Sequence, residues 1–184
     1  DSPTARLFNG LMEQIAAAVC AARAQGRTLR VLEVGGGTGG TTAYLLPCLG
    51  NDVSYTFTDI GPTFVARARE RFGSDGRVLF AVLDLEDDSA RQGFLDRDFD
   101  LVIASNVIHA TADVGRTLAR LRNLIAPGGL LAMLEVTEAQ HWFDLTVGLT
   151  EGWWAFTDTH LRPDYPTLRR AQWLDVLASS GYEA

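Results

Sequence analysis

Glu33-Val34-Gly35-Gly36-Gly37-Thr38-Gly39-Gly40 is the stretch on which the fold turns. A short apolar run, residues 29–34, leads into it, and a helical pattern, residues 41–49, leads out. Strand, glycine-rich turn and helix in that order open a βαβ unit. Glycine lets the backbone turn tightly and approach a ligand with no Cβ in the way. The helix N-terminus beyond it presents unpaired N–H groups and the positive end of a dipole. Those groups suit the carboxylate of a methionine-like ligand, or a pyrophosphate.

Working outward, short apolar runs keep alternating with amphipathic stretches. The pattern predicts strands over 29–34, 53–59, 78–83, 99–105 and 130–136. It predicts helices over 5–24, 41–49, 64–72, 89–95, 114–125 and 169–180. Such alternation gives an α/β fold, a parallel sheet flanked by helices. Gly128-Gly129 after Pro127 reads as a helix stop and a turn into the last strand. Trp142, Leu145, Leu149, Trp153 and Phe156 recur near helical spacing, so residues 140–157 are expected to form one more helix. Its aromatic face either packs in the core or roofs a substrate pocket.

The glycine loop alone is ambiguous, because Gly35, Gly37 and Gly40 also fit the dinucleotide pattern G-x-G-x-x-G. Acidic residues separate the two readings. Glu33 stands two residues before the first glycine, where it would repel a pyrophosphate but complement the ammonium and sulfonium of S-adenosylmethionine. Asp59, followed by Ile60, ends the second strand, where a carboxylate can accept both ribose hydroxyls. Asp84, with Leu85, ends the third, where an acid can take the adenine amino group. The set expected around this ligand is Glu33, Gly35, Gly37, Gly39, Asp59, Ile60, Asp84, Leu85 and Ser105.

His109 lies just past the fourth strand and Glu135 lies near the end of the fifth. In the usual order of such a sheet these strands are neighbours, so the two side chains can hydrogen-bond. A neutral imidazole is a natural base near pH 7, and a carboxylate on its other nitrogen fixes the tautomer. Either residue could equally be a cap or turn group.

Composition excludes other classes. The 184 residues are 47% hydrophobic and 21% charged, which is globular, and the net charge is −7. With a pI near 4.9, nucleic acid is not an expected partner. No apolar run approaches the ~20 residues of a membrane span, and no signal peptide is read at Asp1-Ser2-Pro3-Thr4. Cys20 and Cys48 lack any Cys-x-x-Cys spacing, which suits a reducing, cytoplasmic location. All sixteen basic residues are arginine, so lysine Schiff-base chemistry is excluded within the chain. No zinc-type spacing is present, and no metal is expected.

Longer phrases carry a resemblance. Asn106-Val107-Ile108-His109-Ala110-Thr111, Gly148-Leu149-Thr150-Glu151-Gly152-Trp153-Trp154 and Leu161-Arg162-Pro163-Asp164-Tyr165-Pro166 resemble the carbon-methyltransferase domains of polyketide synthases. So do residues 31–40, 55–59, 64–72, 82–86 and 124–137. The resemblance implies a Rossmann-like class I methyltransferase core with strand order 3-2-1-4-5. It implies that residues 1–184 are a single-domain fragment of a multidomain synthase, without the family's lid and last strands. The implied reaction methylates the α-carbon of a β-ketoacyl thioester held on the phosphopantetheine of an acyl carrier protein, with S-adenosylmethionine as donor. His109 and Glu135 would be its base and orienting partner. Arg162, Arg169 and Arg170 are expected to form a basic rim that meets the acidic carrier. A catalytically inactive structural domain, or a small-molecule O-methyltransferase, is the alternative.

Overall fold

The computed structural model describes residues 3–22 and 26–183. Its centre is a five-stranded, wholly parallel sheet in the order β3-β2-β1-β4-β5. The strands are β1 (Leu29–Val34), β2 (Val53–Asp59), β3 (Val78–Val82), β4 (Phe99–Ser105) and β5 (Ile125–Leu134). β1 and β4 carry near-continuous apolar runs because both faces of the sheet are covered. Register runs Glu33 opposite Phe57 and Ile103 in the middle of the sheet, and Ser105 opposite Leu134 at its carboxyl edge.

Helices cover both faces. α1 (Pro3–Ala22), α2 (Gly40–Cys48) and α3 (Pro62–Phe72) contribute Met12, Ala16, Leu45, Leu46, Val65 and Ala68 to the core around Val31, Tyr55 and Phe57. Residues 23 and 24, expected to extend α1, lie outside the described residues, as do Asp1 and Ser2. On the other face, α4 (Val114–Leu124) buries Val114, Leu118, Leu121 and Leu124. Its N-cap Asp113 accepts the Arg116 N–H at 2.9 Å, a cap worth ~1 kcal/mol. α6 (Arg170–Ser179) adds Trp173 and Val176 to that core.

Three expected elements differ. The helix expected over 140–157 is broken into α5 (His141–Asp144) and two 3₁₀ turns, Val147–Leu149 and Glu151–Trp154. Gly148 and Gly152 weaken a helix there. The Thr146 hydroxyl donates to the Trp142 carbonyl and the Thr150 hydroxyl to the Val147 carbonyl, competing for groups a helix would use. Residues 89–95 shrink to a single 3₁₀ turn, Ala90–Gln92, closed by Gly93 at φ 88°. The expected turn at Gly128-Gly129 is instead an irregularity inside β5, which starts at Ile125; Gly128 takes φ 76°, and the pairing slips between Phe99 and Leu101.

Candidate active site

The glycine loop sits between β1 and α2 at the carboxyl edge of the sheet. Gly35, Gly37 and Gly39 all have positive φ. They differ in what surrounds them. A Cβ on Gly35 would sit 2.2 Å from Val107, and one on Gly39 2.6 Å from Phe72. A Cβ on Gly37 would meet nothing nearer than the Gly35 carbonyl at 3.9 Å. Gly35 and Gly39 are therefore glycine for packing, whereas the space above Gly37 is open.

Asp59, 6% exposed, ties that loop to β2. Its Oδ2 accepts the Gly37 N–H at 2.9 Å and its Oδ1 accepts the Gly61 N–H at 2.8 Å. Each oxygen keeps a lone pair for a further donor. Ile60 beside it is exposed. Asp84, past the end of β3, accepts the Glu86 N–H on Oδ1 at 2.7 Å. The Gln92 side chain clamps the Asp84 backbone, accepting its N–H at 2.8 Å and donating to its carbonyl at 2.9 Å. Sequence reasoning missed Gln92; nothing marks it until the turn that carries it folds back on β3. Leu85 is partly buried against the α4 core, and Ser105 ends β4.

Glu33 is almost wholly buried, at 1% exposure. Its Oε2 accepts the Thr42 hydroxyl at 2.5 Å and the Tyr55 hydroxyl at 2.8 Å, while its buried Oε1 has no partner among the described residues. Burial pushes the carboxyl up to about 7; the Thr42 and Tyr55 hydroxyls pull it down, and the Asp59 charge adds to the rise. An unpaired buried carboxylate oxygen is costly unless something cationic meets it.

The other half of the site follows β4. Asn106, in the left-handed region at φ 53°, turns the chain, and its N–H donates to the Leu134 carbonyl at 2.7 Å. A 3₁₀ turn, Ile108–Ala110, then carries His109. Glu135, one residue past β5, meets it: His109 Nδ1 and Glu135 Oε2 are 2.5 Å apart, with side chains 7% and 2% exposed. Glu135 Oε1 accepts the N–H of Val107 at 3.1 Å and of Ile108 at 2.7 Å. One carboxylate thus holds both the turn that carries His109 and its ring. With Glu135 ionised and accepting, Nδ1 carries the proton and Nε2 holds the free lone pair. The sequence expectation that these residues meet across adjacent strands is the geometry observed.

Aromatic rings wall this pair. Trp153, 8% exposed, lies edge-on to His109 with centroids 5.4 Å apart. Phe143 and Tyr165 pack on Trp153 in turn. Trp142, Trp154, Leu145 and Leu149 remain substantially exposed. The aromatic stretch therefore supplies both a core residue and an exposed rim. Arg162 corrects another expectation: it is 1% exposed and so is no part of a basic rim, whereas Arg169 and Arg170 are exposed. Among the described residues, no group of three or more His, Cys, Asp or Glu is arranged to hold a metal ion, and no helix is long and apolar enough to cross a membrane.

Known proteins share this architecture. Residues 32–131 match the family model described as a methyltransferase domain. Polyketide synthase ThaG of Burkholderia thailandensis is 41% identical over 98% of the chain, which spans 3% of that synthase. The CurJ carbon methyltransferase superimposes with a TM-score of 0.97 at 44% identity, over all of this chain and 49% of its own. The trans-methyltransferase CalH, solved in complex with SAH, gives 0.79 at 36% identity over 96% of this chain and 48% of its own.

Proposed function

This chain belongs to the methyltransferase-domain family and is similar over its whole length to carbon methyltransferases of polyketide biosynthesis; from that premise we propose that it methylates the α-carbon of a β-ketoacyl thioester. The observation that carries the reading is the buried His109–Glu135 pair on adjacent strand ends. The glycine loop lies against it, since Gly35 packs on Val107 of the same turn.

Methyl transfer to carbon needs a carbon nucleophile. The proton between a ketone and a thioester is the acidic one. Nε2 of His109 takes that proton, and the C–H electron pair passes into the enolate. Glu135 keeps Nδ1 protonated and then faces the imidazolium that forms. The Trp153–Phe143–Tyr165 wall excludes water and gives an acyl chain an apolar surface.

S-adenosylmethionine fits the other half and would supply the methyl already activated on a sulfonium. The open space above Gly37 admits its methionine moiety, and Glu33 offers a carboxylate to its cationic groups. Asp59 and Asp84, whose carboxylates keep free lone pairs, would take ribose and adenine, and Ile60, Leu85 and Ser105 would be further cofactor contacts. The β-ketoacyl group would arrive on the phosphopantetheine of an acyl carrier protein. Residues 1–184 would be one methyltransferase core among neighbouring synthase domains in the cytoplasm.

Proton exchange at the α-carbon of a β-ketoacyl thioester in deuterated buffer tests the reading. Exchange by the full-length protein without cofactor, lost in His109→Ala, is the expected result. Methylation of a hydroxyl group with no exchange would instead indicate an O-methyltransferase, and neither activity a structural domain.

A further inference from the structure

Arg162 carries a full charge into the interior, and neither the cofactor half nor the base pair explains why. All five of its N–H groups are spent on protein acceptors. Nε donates to Asp158 Oδ1 at 2.6 Å. Nη1 donates to the carbonyls of His109 at 2.7 Å and Pro166 at 3.3 Å. Nη2 donates to the carbonyls of Thr111 at 2.8 Å and Ala112 at 3.1 Å. Phe156 lies against the guanidinium, 5.1 Å from its centre. Asp158 completes the frame by accepting the Val114 N–H on Oδ2 at 3.0 Å.

The guanidinium therefore has no donor left for a ligand. It grips the carbonyl of the base residue itself, two carbonyls just after it, and one beside Tyr165 of the aromatic wall. Lysine could not do this, because a single ammonium cannot span a planar fork of acceptors. Nor is stability a sufficient reason for the pair. A buried ion pair is commonly no better for stability than apolar residues of similar volume. What it does supply is fixed geometry.

We propose that Arg162, held by Asp158, is a positioning residue for His109. It fixes the backbone of the base from behind while Glu135 fixes the ring from the side, and it locks that turn to the loop bearing the aromatic wall. The proposal rests on the reading of His109 as the base.

The test uses the full-length protein and two variants. Arg162→Lys keeps the charge and loses the fork. Asp158→Leu/Arg162→Met removes both charges together, so neither is left buried alone. Cofactor affinity, read by calorimetry, reports on the glycine-loop half; α-proton exchange reports on the base. Displacing the base by an ångström or less should slow exchange roughly 10- to 100-fold at saturating substrate, with substrate KM and cofactor affinity nearly unmoved. On a His109→Ala background, Arg162→Lys should cost nothing more. Exchange at the parental rate in either variant would overturn the proposal. So would loss of cofactor affinity in step with exchange, whether or not the protein still folds, because Arg162 would then be a general strut. The His109→Ala control keeps the two ideas apart: if it alone exchanges at the parental rate, the base assignment fails as well.

Discussion

The carboxyl ends of β1, β2 and β3 build their half of the site largely from backbone, whereas the ends of β4 and β5 build theirs from side chains. In the first half, acids hold a turn open: Asp59 takes the Gly37 amide, and Glu33 is bound by Thr42 only nine residues on. In the second half, Glu135 reaches back 26 residues to His109, and Arg162 reaches back 53. A cradle for a ligand needs the absence of Cβ atoms and a few aligned amides, held here by Asp59 from the neighbouring strand. A base must be aimed, and aiming takes partners from several directions. The halves touch where Gly35 meets Val107, so they share one wall.

The largest expected effect breaks the second half alone. His109→Ala should cost ~10²–10⁴ in methylation, the range for a lost general base, with cofactor affinity unchanged. Glu135→Gln should come close to it. A carboxamide can still accept the Val107 and Ile108 amides, but it can present N–H to Nδ1, which places the imidazole proton on Nε2 and removes the lone pair that acts as base. The two losses should be far from additive. Single-turnover methylation beside calorimetry checks this; a parallel fall in cofactor affinity would show that the halves are not independent.

Gly37→Val breaks the first half alone. The branched side chain fills the open space and is held at φ 54°, so cofactor affinity should fall on the order of 100-fold or more. Cofactor-independent α-proton exchange should survive. Gly35→Ala is the contrast, since its methyl would strike Val107 at 2.2 Å and should impair binding and exchange together. Survival of both activities in Gly35→Ala would mean that the shared wall yields.

This contrast also explains what the sequence disclosed. The strands, the glycine loop and the acids beside it were legible because each is a local pattern: an apolar run, a turn, an acid at a strand end; the strand order came only with the family resemblance. The meeting of His109 and Glu135 was legible once β4 and β5 were taken as neighbours. The aromatic stretch was misread as one helix because spacing counts side chains and not the threonine hydroxyls that cap its carbonyls early. Arg162 was misread as a surface charge because nothing near it in sequence reveals the carbonyls of His109, Thr111 and Ala112. Gln92 was missed for the same reason.

A smaller effect sharpens the electrostatics of the cradle. Glu33 titrates near 7 when folded against an ordinary value of 4.5, so between these the folded chain holds a proton the unfolded chain has released. Its contribution to stability is therefore greatest below about 4.5, declines as pH rises to about 7, and is flat above, with a span on the order of 3 kcal/mol. Denaturation across this range, compared with Glu33→Gln, isolates it. A cationic ligand prefers the ionised form, so cofactor affinity should rise with pH up to about 7, by at most ~10-fold per unit, and release a proton on binding. Calorimetry in buffers of different ionisation heat counts that proton. A flat profile in the parent would mean that Glu33 does not sense the ligand's charge.

The smallest effect lies outside both halves. Arg169 and Arg170 are exposed at the start of α6, and with Arg162 withdrawn into the core they are what remains of the expected basic rim. If an acidic carrier docks there, reversing both to Glu should slow turnover of carrier-bound substrate by about three- to tenfold at low salt, mainly through the encounter rate. The effect should fade above physiological ionic strength, where exposed charges are screened beyond ~8 Å. Loss of fold is a poor rival explanation. The capping contact at this helix start uses the Arg169 backbone N–H, donated to the Gln172 side chain at 3.0 Å, and any residue keeps it. Acids at a helix N-terminus are also favourable by ~0.3–1 kcal/mol, so the reversal should leave α6 at least as stable. A small thioester substrate is the control, because it needs the base and the cradle but no docking. Unchanged turnover of the small substrate beside slowed turnover of the carrier-bound one would locate the docking surface at α6. An equal change in both would place the carrier elsewhere and leave these arginines as solvated surface charge.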